Sequence, residues 1–139
     1  MKQFLKVIPI LLIGFNSYAQ NKPTTTRCKD KTIERVRKHC VCNDIETYVK
    51  ENYNILSVSS YAQSGLNRIY VRFNIINEGK ISNIQVKGSS PELEKEAFRT
   101  LQSFPDIIPA TSVSEINIDP QDFYNILIQF EIKNTITNL

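Results

Sequence analysis

The chain has 139 residues, of which 41% are hydrophobic, with 17 basic and 14 acidic side chains and a formal net charge of +3. This length supports one hydrophobic core of modest size, so we expect a single domain and not two. The small net charge does not favour a nucleic-acid partner.

The first 19 residues are predicted to be a signal peptide. Lys2 and Lys6 form a basic start, and residues 7–15 (VIPILLIGF) form an apolar run that is shorter than the ~20 residues needed to span a bilayer. The small residues around Ala19 suit a signal peptidase. An uncleaved membrane anchor is the alternative. We therefore expect a periplasmic or secreted protein without a stable membrane span.

The mature chain is predicted to hold a flexible lead-in (20–28), a domain (29–133) and a short tail (134–139). The lead-in is polar, contains proline and lacks periodicity. Six basic residues lie between Arg27 and Lys38, without aromatic residues among them. This pattern is more typical of a solvated helix face than of a site for nucleic acid or anionic lipid.

Two short helices are predicted before the first strand. The first covers Lys29 to His39, with Ile33, Val36 and Cys40 on its apolar side. Cys42-Asn43-Asp44 is interpreted as an interruption, because Asn43 with Glu46 resembles a capping box. The second helix then continues to Asn52, and its apolar residues are Ile45, Tyr48 and Val49. An irregular connection is expected over residues 53–67.

Alternating apolar residues predict a β-hairpin in the middle of the chain. Ile69, Val71, Phe73 and Ile75 occupy one face of the first strand, and Ser82, Ile84 and Val86 one face of the second. Asn77-Glu78-Gly79-Lys80 supplies the turn between them, in which Gly79 can adopt a positive φ.

A helix and a final strand are predicted after the hairpin. Either Ser89 or Ser90 can begin the helix, and Leu93, Ala97, Leu101 and Phe104 form its apolar stripe, with Phe98 beside it. The charged residues from Glu92 to Arg99, including Glu96, are expected to lie mostly outside. Two prolines, Pro105 and Pro109, follow, and residues 111–122 are expected to form a loop. Tyr124 to Ile132 is predicted to be a strand.

This order predicts an α+β fold, in which a three-stranded antiparallel sheet (β-β-α-β) carries a helix on one face and one or two short helices precede it. A right-handed crossover would place the last strand beside the first, at an edge of the sheet. Main-chain groups at a free edge can receive another strand. The candidate binding residues are those on the outer face of this strand: Asn125, Leu127, Gln129 and Glu131.

In order and spacing, several segments resemble the carboxy-terminal domain of the TonB family. The matching segments are Glu46–Asn52, Tyr70–Ile75, Glu78–Ile84, Leu93–Arg99, Phe104-Pro105 with Pro109-Ala110, and Ile126–Ile132. The resemblance does not extend to the transmembrane helix and proline-rich spacer of a complete TonB, and the chain has no tryptophan. It implies a non-enzymatic module that binds protein segments in the envelope, such as the plug segments of TonB-dependent outer-membrane transporters. An exported inhibitor that uses the same surface remains open.

The cysteines offer the main alternative to a protein-binding function. In an exported protein, Cys28, Cys40 and Cys42 favour one disulfide, either Cys28 to Cys40 or Cys28 to Cys42, because a Cys-x-Cys ring is strained. A metal or redox module would instead use Cys28, His39, Cys40 and Cys42, with Asp44 as a further ligand. We expect neither a cofactor nor a catalytic site, since His39 is the only histidine and nothing orients it toward Cys40.

Overall fold

The structure, a computed structural model, describes residues 22–110 and 122–134. The predicted signal peptide (1–19) lies outside these residues, as do nearly all of the predicted loop and most of the tail. Among the described residues, no helix has the length and apolar composition needed to cross a membrane. The elements, in order, are α1 (Glu34–Asn52), α2 (Ile55–Val58), a 3-10 turn (Ser59–Tyr61), β1 (Gly65–Ile75), β2 (Ile81–Lys87), α3 (Pro91–Gln102) and β3 (Tyr124–Ile132).

The three strands form one antiparallel sheet in the order β2-β1-β3. The predicted α+β fold is therefore confirmed. The last strand also lies where it was predicted, beside the first strand and at an edge. Helices α1 and α3 pack against the sheet, α1 mainly on β3 and α3 mainly on β2.

The two strand pairs differ in regularity. The β1–β3 ladder runs without a shift from Gly65 opposite Ile132 to Phe73 opposite Tyr124. The β1–β2 ladder shifts between Arg72 and Asn74, and Asn83 of β2 has a φ of 51°. Such an extra residue is a β-bulge, which interrupts the ladder and increases its twist. The edge formed by β2 is therefore irregular, and the edge formed by β3 is not.

The predicted turn between β1 and β2 is confirmed. The N–H of Ile76 donates to the carbonyl of Lys80 over 2.9 Å, and the N–H of Gly79 donates to the carbonyl of Ile76. Gly79 has a φ of 81°, which a residue with a Cβ adopts at a steric cost. A Cβ at this position would also lie 3.3 Å from the side chains of Ile107 and Pro109, which pack over the turn.

One face of the sheet and both long helices enclose the core. Of the hairpin residues predicted to point inward, Ile69, Val71 and Phe73 are buried, and the others are partly buried. Phe73 stacks on Tyr124 with 5.4 Å between ring centroids. The core residues of the sheet and helices are Val41, Ile45, Val49, Tyr53, Val58, Ile69, Val71, Phe73, Leu93, Ala97, Leu101, Tyr124, Ile126, Ile128 and Phe130. The opposite face of the sheet has none of these residues.

The prediction of two helices separated at Cys42-Asn43-Asp44 is wrong, because α1 is continuous through these residues. Asn43 is not a cap; its amide nitrogen lies 3.3 Å from Nδ1 of His39, one turn earlier. The buried residues of α1 recur at every fourth position: Arg37, Val41, Ile45 and Val49. Ile33 and Val36, predicted to be apolar contacts, are 65% and 45% exposed.

Helix α3 agrees with the prediction except at Glu96. Ser90 is the N-cap and accepts a hydrogen bond from the Leu93 N–H, with Pro91 at the first helical position. Leu93 and two further stripe residues are buried, as expected. Glu96, expected outside, is buried because its carboxylate accepts from the N–H of Asn54 and pairs with Arg99.

Residues 22–28, expected to be a flexible lead-in, are instead packed against the domain. Thr24 exchanges two main-chain hydrogen bonds with Ile108, of 3.1 and 2.7 Å. The hydroxyl of Thr26 donates to Asp106 over 2.7 Å. Thr24 and Thr25 are buried, so this segment belongs to the folded domain. Sequence periodicity could not indicate this, since the contacts come from residues about eighty positions away.

Candidate functional site

Every second residue of β3 directs its main-chain N–H and C=O groups to the free edge of the sheet. The N–H of Ile76 donates to the carbonyl of Lys80. Alternate residues of an antiparallel strand direct their N–H and C=O groups to the same neighbour, so the even-numbered residues at this end of β1 bond to β2. The odd-numbered residues, such as Val71 and Phe73, therefore bond to β3, where their partners are Ile126 and Tyr124. The residues between these partners direct N–H and C=O groups to the free edge: Asn125, Leu127, Gln129 and Glu131.

The side chains of these four residues lie on the face of the sheet that the helices leave open. Asn125, Gln129 and Glu131 are exposed, and Leu127 is half-buried opposite Tyr70. The predicted site residues are thus brought together in one row. Their main-chain groups face the edge, and their side chains face the open surface.

Helix α1 covers the first part of this edge. Sγ of Cys42 donates to the main-chain oxygen of Asn125 over 3.3 Å. This contact independently shows that the Asn125 carbonyl points away from β1. Among the described residues, no hydrogen bond reaches the edge-facing main-chain groups of Leu127, Gln129 or Glu131. Within the part of the chain that the structure describes, three residues of the edge are therefore open to a partner.

An ion-pair cluster holds the beginning of β3. Asp122 accepts hydrogen bonds from Lys38 of α1 (2.7 Å) and from Lys22 (3.2 Å). Burial acts to raise the pKa of Asp122, but the two ammonium groups outweigh it and hold this pKa below its usual range. The carbonyl of Asp122 also accepts from the side-chain amide of Asn74. The strand is thereby tied to α1 and to β1.

The buried Arg37 provides a second tie between α1 and β3. Its guanidinium donates to the carbonyl of Pro23, to Glu34 and to the Tyr124 hydroxyl. Burial raises the pKa of Tyr124, although Arg37 opposes this, so the phenol stays protonated at neutral pH. Because Arg37 is polar, an apolar pattern could not identify it as a buried residue. The one indication in the sequence was its position, four residues before Val41 and so on the same side of the helix.

The disulfide joins Cys28 to Cys40, one of the two predicted pairs, with a Cα–Cα distance of 5.8 Å. Asp44, one turn after Cys40, faces the same site. It accepts hydrogen bonds from the Thr25 hydroxyl and from Nε of Arg27, both of 2.6 Å. The disulfide and this carboxylate together fix residues 25–28 on helix α1.

The structure does not assemble the metal-ligand set that was the alternative. Cys28, Cys40 and Asp44 offer ligand atoms within 4.8 Å of one another, but the two sulfurs are bonded to each other. Cys42 points instead to β3, and His39 is exposed beside Asn43. Residues 39, 40 and 42 project in different directions from α1, which is why they do not converge.

Cys42 is the free thiol among the described cysteines. Burial, followed by the charge of Glu46, raises its pKa. The thiol is therefore protonated at neutral pH and is a weak nucleophile. This environment suits a structural contact with Asn125 better than covalent chemistry.

Comparisons with known proteins found no matching family model, no similar curated protein and no similar solved structure. The resemblance to the TonB carboxy-terminal domain therefore stays a prediction from the sequence. The inferences below depend on the geometry of the chain itself.

Proposed function

We propose that this protein is a non-enzymatic interaction module that binds an extended segment of another protein by strand addition to β3. The observation that carries the proposal is the regular free edge of β3, on which Leu127, Gln129 and Glu131 direct main-chain donors and acceptors outward. An extended segment placed beside this edge would continue the ladder as a fourth strand.

The difference between the two edges supports β3 as the receiving strand. The bulge at Asn83 disrupts the ladder of β2, and bulges are one way in which proteins protect an edge from pairing. The β1–β3 ladder has no shift over its full length. Of the two edges of the described sheet, only that of β3 therefore has a regular ladder behind its whole length.

The rigidity of the scaffold also supports the proposal. Asp122 and Tyr124 anchor the beginning of β3 to α1, and Phe130, near its end, packs on Tyr53 with 5.7 Å between centroids. A strand held at both ends is ordered before a partner arrives. Less conformational entropy is then lost on binding.

Following the sequence resemblance, we propose an envelope location and plug segments of TonB-dependent outer-membrane transporters as the first partners to test. The test is a titration of isotope-labelled protein with such peptides, followed by amide chemical shifts. We expect the largest shifts at Leu127, Gln129 and Glu131. If none of the peptides shifts these amides, this partner class is wrong.

A proline substitution tests the binding mode. Leu127→Pro removes an N–H that faces the free edge and takes no part in the β1–β3 ladder, so the fold should persist. Its affinity for any strand-adding partner should fall, because one main-chain hydrogen bond is lost. Leu127→Ala, which keeps the N–H, is the matched control. Equal affinities of a folded Leu127→Pro protein and Leu127→Ala would contradict the mode.

A metal-binding function is the second candidate, and it rests on the proximity of Cys28, Cys40 and Asp44. Reduction of the disulfide by an added thiol reductant would give two thiols next to a carboxylate, and the thiols would lose their protons on binding zinc, which such a ligand set suits. Metal analysis of the protein, as purified and after reduction with added zinc, tests this candidate. A zinc content near zero in both states would remove it.

A further inference from the structure

The open face of the sheet carries an aromatic side chain between two cations. Arg68, Tyr70 and Arg72 project from the central strand β1 to the side that the helices do not cover, and Tyr70 is 58% exposed. Lys87 of β2 lies directly opposite Tyr70, and Leu127 of β3 lies on its other side. We name this set of five residues the cationic face.

A groove crosses the cationic face between the three strands. It has a volume of about 220 Å³, and Tyr70, Arg72, Gln85, Lys87 and Asn125 line it. The guanidinium of Arg72 lies over the ring of Phe123, 3.2 Å from its centroid, which fixes one wall. The groove thus has the size of one or two side chains and a positive rim.

Six cations elsewhere in the described residues are paired with a carboxylate, whereas the cations of this face, like several others on the surface, are not. Lys22, Arg27, Arg37, Lys38, Lys50 and Arg99 each form an ion pair with a carboxylate. Among the described residues, none pairs with Arg68, Arg72 or Lys87. The single acidic side chain in the outward row of β3 is Glu131, at the far end of the face. The charges here are therefore available to a ligand.

We propose that the cationic face binds an acidic segment of a protein partner, with an apolar or aromatic side chain in the groove and carboxylates on Arg68, Arg72 and Lys87. Tyrosine and arginine, with tryptophan, are enriched among the residues that contribute most to protein–protein binding. An acidic peptide segment supplies both a side chain for the groove and carboxylates for the cations around it. The charged side chains of this surface belong to β1 and β2, so its test does not depend on strand addition at β3.

The test uses two synthetic peptides, one alternating glutamate with leucine and one with lysine in place of each glutamate. The glutamate peptide should shift the amides of Tyr70, Arg72 and Lys87, and its affinity should fall as salt is added. The double variant Arg68→Glu with Arg72→Glu should bind about tenfold more weakly, since two favourable exposed pairs become repulsive. Both residues are exposed, so the fold should be retained.

Matched variants separate this surface from the β3 edge. Lys95→Glu changes an exposed cation on α3 and should leave the affinity unchanged. Gln129→Pro removes another edge-facing N–H of β3 and lies outside the cationic face, so it should weaken an added strand but leave the shifts at Arg72 and Lys87 in place. Equal binding of both peptides, or an unchanged affinity in the double variant, would overturn the proposal.

Other occupants of the face give distinct results. Binding of oligothymidylate or of phosphatidylglycerol vesicles, without binding of the glutamate peptide, would show that the partner class is wrong. Shifts at Tyr70 that depend on protein concentration, in the absence of peptide, would show that a second copy of the chain covers the face. Either result would replace the acidic protein segment as the ligand.

Discussion

Sγ of Cys42 lies 3.3 Å from the main-chain oxygen of Asn125 and donates a hydrogen bond to it. This contact closes the first carbonyl of the β3 edge and leaves the following residues of the edge open. The third cysteine, whose role could not be assigned from the sequence, thereby marks the boundary between the part of β3 that α1 covers and the part that is free.

The Cys42 thiol should react slowly with iodoacetamide at neutral pH. Burial and the nearby Glu46 raise its pKa, so little thiolate is present in the folded protein. Mass spectrometry of timed reactions measures the rate, and the same protein unfolded in urea is the control that shows rapid labelling. Equally rapid labelling of folded and unfolded protein would contradict the raised pKa of Cys42 and its hydrogen bond to Asn125.

Loss of the disulfide should destabilise the domain. The ring closed by Cys28 and Cys40 spans a sequence separation of 12, for which the expected loss is about 3 kcal/mol. Urea unfolding with and without reductant measures it. Cys42→Ser, which leaves the disulfide intact, is the matched control and should keep its sensitivity to reductant. A Cys28→Ser variant as stable as the oxidised protein would contradict this role.

Asp44→Ala should release the segment around Thr25 and Arg27 from α1. The carboxylate accepts two hydrogen bonds from these residues and is mostly buried, so we expect a loss of about 1 to 3 kcal/mol. Amide hydrogen exchange of residues 24–28 should accelerate more than that of the strands. Asp30→Ala, at an exposed position, is the control. Unchanged exchange in the Asp44 variant would contradict the anchoring role.

The free energy of unfolding should decrease in acid, partly through Asp122. Its folded pKa is lowered by Lys38 and Lys22, so its contribution is present above the unfolded pKa of ~4 and is lost as pH falls through the folded pKa. Asp122→Asn should lower stability at neutral pH by about 1 kcal/mol and flatten the acid dependence. The measurement is urea unfolding from neutral pH into the acid range.

Glu92→Gln is the control for this titration, because Glu92 forms no ion pair among the described residues. It should retain the acid dependence of the unchanged protein. An Asp122→Asn protein with the same slope as the unchanged protein would show that this cluster does not contribute.

The strands and α3 could be predicted from the sequence because their patterns are local. A period of two places Val71 and Phe73 on one face, and Ser90 with Pro91 begins α3 as expected. The bounds of β3, Tyr124–Ile132, also agree with the prediction. The edge position of β3 followed from the crossover rule applied to these elements.

The parts that could not be predicted depend on contacts between distant residues. Arg37 is buried because Pro23 and Tyr124 accept its hydrogen bonds, and Glu96 because Asn54 and Arg99 satisfy its carboxylate. Nothing in the neighbouring sequence indicates these partners. Cys42-Asn43-Asp44 suggested a break between two helices. In the structure the helix is continuous, and the Asp44 side chain accepts a hydrogen bond from Thr25.

The most direct test of the proposed function is residue-specific amide hydrogen exchange along β3, without and with a bound peptide. In the free protein, the amides of Ile126, Ile128 and Phe130 should be protected, and those of Leu127, Gln129 and Glu131 should exchange rapidly. A strand-adding peptide should protect the second set and leave the first set unchanged. Uniform protection of β3 in the free protein, or no new protection when a peptide binds, would contradict the account of a free edge that receives a strand.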